Sequence, residues 1–128
     1  MGTLADLDDI LAPREYQQLV GLIGGGVTAA TMMGKKVKSH LQLLEDAAED
    51  DEFVEIDLGR AVAGVLHQLI AGIDGLAEND QQLLAAAVEY FALAGDVDDD
   101  VRSPIGLEDD VRVVNAVAAV LGRDDLRI

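Results

Sequence analysis

Apolar residues recur along this chain at three- and four-residue intervals almost throughout, and no stretch alternates convincingly in the manner of a strand. The pattern predicts an all-α fold, a small bundle of about five helices. Pro13 opens one helix as its first residue, where its missing amide costs nothing, and Tyr16, Leu19, Val20, Leu22 and Ile23 follow on one side. Gly24, Gly25 and Gly26 break it. A second helical run extends from Val27 to about Ala48, carrying Met32, Met33, Val37, Leu41, Leu43 and Leu44, with Gly34 a weak point inside it.

The clearest amphipathic stripe follows Asp57, which is placed to cap it: Leu58, Ala61, Val62, Val65, Leu66, Leu69, Ile70 and Ile73. This helix is expected at the centre of the core. Gly64, Ala71 and Gly75 form a second line of small residues on it, where a neighbouring backbone could approach closely. Asn79 or Asp80 caps the next helix, which runs from about Asp80 to Ala94 and buries Leu84, Ala87, Val88 and Phe91. Tyr90 lies near its end with a hydroxyl able to reach a polar loop, and Gly95 stops it. The last helix starts near Leu107 or Glu108, presents Val111, Val114, Ala118 and Leu121, and ends at Gly122. Asn115 interrupts that stripe and must find hydrogen-bond partners, most readily on the backbone of a neighbouring loop.

Composition changes this picture in three places. The 128 residues, half of them hydrophobic, are enough for one domain with a sizeable core over 1–128. Residues 45–57 hold eight acids and no base, a composition expected of a solvated linker. With no cysteine, there is neither a disulfide framework nor a thiolate metal site. Asp6, Asp8 and Asp9 stand where a secretory signal needs positive charge, so a cytoplasmic location is the expectation.

The formal net charge of −16 repels a phosphate backbone, and no basic face with interleaved aromatics offsets it, which excludes nucleic-acid binding. The excess of Asp over Glu and the scarcity of Lys suit a high-salt cytoplasm or an ordinary acidic protein equally. All three lysines lie in the middle of the second helical run. They follow an uncharged span, Tyr16 to Gly34, that invites a peripheral membrane role. Gln17, Gln18, Thr28, Thr31 and five glycines make insertion of that span costly, and packing on the bundle or on another subunit fits it better.

The densest chemistry lies between Gly95 and Asp110, where two acidic clusters with seven carboxylates bracket a Ser-Pro-Ile-Gly turn. Glu108, Asp109 and Asp110 fall in the predicted first turn of the last helix, where unpaired amides and the dipole favour carboxylates by roughly 0.3–1 kcal/mol each. Asp96, Asp98 and Asp100 alternate like the first ligands of an EF-hand. Val101 occupies the position that needs glycine, and Glu108 falls one residue too late, so that motif is excluded. A less regular calcium or magnesium site built from Asp96, Asp98, Asp100, Asp109 and Asp110 is the alternative to a purely structural loop.

Enzyme signatures are sparse. His40 and His67 have no second histidine at metal-ligand spacing, and His67 aligns with Arg60 and Asp74 as a polar helix edge. No Gly-x-Ser-x-Gly elbow occurs, and the glycines from Gly21 to Gly26 stand too far from Gly34-Lys35-Lys36 to form a phosphate loop.

Tyr90-Phe91, Asp96, Asp100, Pro104-Ile105-Gly106-Leu107 and Asp109-Asp110 together resemble the YkvA-like family, the DUF1232 domain of unknown function. The likeness covers about 84–121, with Asp98-Asp99 standing where that family has Ile-Pro. It implies a helical hairpin whose acidic loop is a structural or binding signature, with no established reaction. Tyr90, Asp96, Asp100, Gly106, Asp109 and Asp110 occupy the corresponding positions. The combined expectation is a non-enzymatic helical domain, a protein-interaction or structural module with a protein partner or self-association. The alternative is a divalent-cation site serving regulation or hydrolysis.

Overall fold

The structure, a computed structural model, describes Leu7, Leu11 and residues 13–24, 29–50, 56–93 and 104–128. These form an all-α bundle of five helices with no strand among the described residues: α1 (Pro13–Leu22), α2 (Ala30–Asp50), α3 (Ile56–Ala71), α4 (Glu78–Leu93) and α5 (Pro104–Val120). Short 3₁₀ turns follow α3 at Ile73–Gly75 and α5 at Asp124–Leu126.

Pro13 is the first residue of α1, as its fixed φ favours, and the helix ends before Gly24, whose φ of +86° suits glycine. The uncharged span from Tyr16 to Gly34 is therefore divided between α1 and α2. Among the described residues no helix is long and apolar enough to cross a membrane.

In α2 the core-facing positions are Met33, Val37, His40 and Leu44, spaced four, three and four residues apart. That register continues beyond the boundary expected from composition. Residues 45–50 are the last turns of α2 rather than the start of a linker, while 51–55 lie outside the described residues. Ala47 and Ala48 are half-buried, Gln42 donates to Asp46 at 2.9 Å, and Glu45 accepts from Arg60 of α3 at 3.3 Å. Packing and local partners thus extend a helix into a segment whose charge alone reads as loop.

In α3, Val62, Ala63, Val65, Leu66, Leu69 and Ile70 are buried, with Ile73 just beyond. Asp57 is inside the first turn rather than the cap, its exposed carboxylate 3.6 Å from Arg60. The expected small-residue seam is corrected as well. Gly64 and Gly75 are exposed, and a Cβ there would meet nothing within 4 Å. The close approach occurs at buried Gly59, where a Cβ would stand 3.2 Å from Leu44 Cδ1. Gly59 lies in phase with Val62, Ala63 and Leu66, whereas Gly64 falls on the opposite face.

Helix α4 begins at Glu78, so Asn79 and Asp80 lie in its first turn and neither is the cap; Ala77 O accepts the first helical bond, from Gln81. Every residue from Leu83 to Phe91 is buried, because α4 packs against each of the other four helices. Gly95, the expected stop, is outside the described residues.

Helix α5 starts at Pro104, earlier than expected, with proline again at the first position. Glu108, Asp109 and Asp110 therefore fall beyond the first turn, which contains no acid, and the dipole argument for them does not hold. At the other end Gly122 has φ +78°, its N–H donates to Ala119 O at 3.1 Å, and Arg123 N–H donates to Ala118 O at 2.7 Å. This is a Schellman ending, which satisfies two carbonyls that the last turn leaves open.

Candidate functional site

The five carboxylates expected to share a cation are not placed together by the described residues. Asp96, Asp98 and Asp100 lie outside them, as does the side chain of Asp109. Asp110 is fully buried on α5. Among the described residues no group of three or more His, Cys, Asp or Glu side chains converges to hold a metal.

The proposed motif positions are placed individually. Tyr90 is buried in the core, and Gly106 is in the first turn of α5. Half-buried Asn115 accepts from Ile128 N–H at 2.9 Å and donates its amide to Ile128 O at 3.5 Å, tying the last residue to α5. His67 is half-buried and Asp74 exposed, while Arg60 engages Glu45 and Asp57, so this polar edge is made of surface ion pairs.

A different place gathers apolar surface and polar groups: an open groove of about 340 Å³ between α2 and α4. It is lined along α2 by Met32, Lys35, Lys36, Ser39, His40 and Leu43, and along α4 by Glu89 and Ala92. The α2 positions follow one another at helical spacing from Met32 to Leu43, which makes the wall roughly 16 Å long at about 1.5 Å per residue.

The floor of the groove is held by two contacts. The Lys36 ammonium pairs with the Glu89 carboxylate, itself nearly buried on α4, so neither charge is left uncompensated. His40 is buried and meets the Phe91 ring edge-on, with centroids 4.7 Å apart at 78°. The rim is apolar and exposed: Met32 is 46% exposed and Leu43 50% exposed, the largest values among the large apolar side chains described. Lys35, also exposed, stands between them in sequence.

No family model matches this chain, and no curated protein or solved structure matches it significantly. Its chemistry must be read from its own residues.

The groove was not found from sequence, although signals for it were there. His40 occupies a core-facing position in the run Met33, Val37, His40, Leu44, and a polar ring on an apolar seam calls for a partner. Glu89 likewise interrupts the apolar run from Leu83 to Phe91. Singly, His40 lacks a second histidine at metal-ligand spacing, and Glu89 belongs to no motif. What joins them is that α2 lies on α4, a tertiary fact no local pattern carries.

Proposed function

We propose that this protein is a non-enzymatic helical interaction module that docks a protein partner along the groove between α2 and α4. The observation that carries the reading is the pair of half-exposed apolar side chains, Met32 and Leu43, on the rim of a preformed slot whose floor is fixed by Lys36–Glu89 and His40–Phe91. Single exposed apolar residues are ordinary on any surface. Two of them three helical turns apart, beside a concave strip, suit the spaced anchors by which a helix is received in a groove.

The test is site-specific photocrosslinking in cells that make the protein. Benzoylphenylalanine in place of Met32 or Leu43 is expected to give a discrete protein adduct, and the same group at exposed Arg127 to give none. Irradiation that yields no adduct at either groove position would remove the proposal.

A further inference from the structure

The groove's shape leaves the partner's chemistry open, and the surrounding charge narrows it. The chain has nine basic residues against 25 acidic ones, yet all three of its lysines fall between Lys35 and Lys38. Lys36 is committed to Glu89. Lys35 lines the groove and is exposed, and exposed Lys38 lies one turn further on the outer side of α2. The acids of α2 begin only at Glu45, and the first two are occupied, Glu45 by Arg60 and Asp46 by Gln42.

The distance decides which field a ligand meets. Along the helix axis Lys35 stands about 15 Å and Lys38 about 10 Å from Glu45, beyond the Debye length of about 8 Å at physiological salt, whereas Leu43 lies only about 3 Å from Glu45, which Arg60 engages. At the Lys35 end of the groove a segment therefore meets the lysines of α2 rather than its acids. Glu89 does not reverse this, because its charge is matched by Lys36 beneath the rim.

We infer that the groove's occupant is an acidic amphipathic helix. Its apolar side chains, about three to four residues apart, lie over Ser39 and Ala92 between Met32 and Leu43, and its carboxylates face Lys35 and Lys38. This rests on the docking reading and adds the partner's charge. An anionic membrane would meet the same lysines, but two rim residues are not an apolar face, and the rest of the protein repels such a surface. A second copy brings another −16.

The overall charge of the protein predicts preference for a basic peptide and the local cluster predicts the reverse, so one selection separates them. A display library of helical peptides of about 14 residues carries leucine at four positions matched to the groove, with the others varied among Glu, Gln, Lys and Ala. It is selected on the full chain at physiological salt and counter-selected on Leu43→Asp, whose exposed site tolerates the change.

Enriched peptides are expected to be net negative, and the best of them, resynthesised, to lose at least about fivefold in affinity against Lys35→Glu. Enrichment of neutral or basic peptides, or no binder sensitive to Leu43→Asp, overturns the inference. Crosslinked adducts at Leu43 would in that case keep the docking groove and discard only the chemistry assigned to it. Two further results would also overturn it: phosphatidylglycerol vesicles that carry down the wild type but not Leu43→Asp, or a concentration-dependent dimer lost in that variant.

Discussion

At the scale of single residues, the side chains that depart from the binary pattern are the ones that join helices. Glu15 on α1 is 4% exposed, and the Arg112 guanidinium of α5 grips it with Nη2 at 2.6 Å and Nε at 3.0 Å from Oε2. With Nε also 3.3 Å from Oε1, two guanidinium nitrogens donate to one carboxylate, an arrangement that suits arginine and would not survive a change to lysine. Removing one partner of a buried pair costs about 3–5 kcal/mol, and the half-exposed Arg112 reduces this to roughly 1–3 kcal/mol. Arg112→Met is expected to lower the urea-derived stability by that amount. The double change Glu15→Leu, Arg112→Met should lie closer to wild type, because it leaves no buried carboxylate facing an apolar side chain. A single variant as stable as wild type would show that the ion pair contributes nothing to holding α1 against α5.

At the scale of helices, proline and glycine mark ends where sequence reasoning expects them, at Pro13, Gly24 and Gly122. Inside helices they need the tertiary structure to interpret. Gly64→Ala places its methyl in open space within α3 and should stabilise by about 0.5–1 kcal/mol through helix propensity. Gly59→Ala should gain less, since its Cβ arrives 3.2 Å from Leu44 Cδ1. Gly122→Ala must hold φ near +78° and is expected to lose about 1–2 kcal/mol. Urea midpoints for the three variants test that order, and equal midpoints for Gly59→Ala and Gly64→Ala would refute the close packing of α2 on α3.

The same contrast explains what the sequence reveals. The apolar stripe of α3 and the stop after α5 are local signals, and both are where periodicity puts them. The second helical run ends within two residues of its expected end at about Ala48, whereas residues 45–50 belong to that helix rather than to a linker and α5 starts at Pro104 rather than near Leu107, because register and packing, not acidity, set these boundaries. The acidic clusters are a local signal, whereas the groove is not, because its lining residues on α2 and α4 stand more than forty residues apart in sequence.

At the scale of the whole molecule, one helix carries the centre of the described bundle. Helix α4 is that centre, with nine successive buried residues from Leu83 to Phe91 and contacts to α1, α2, α3 and α5. Amides that exchange with solvent only on global unfolding belong to such an element, and those that exchange by local opening belong to the periphery. In deuterium-exchange measurements, the backbone from Leu84 to Phe91 is expected to be the slowest in the protein, with the ten-residue α1 opening sooner. Faster exchange in α4 than in α1 would contradict its central placement. Because Glu89 and Ala92 stand on this helix, one side of the groove is fastened to the last part of the molecule to open. That α4 wall is then expected to keep its shape for as long as the protein stays folded.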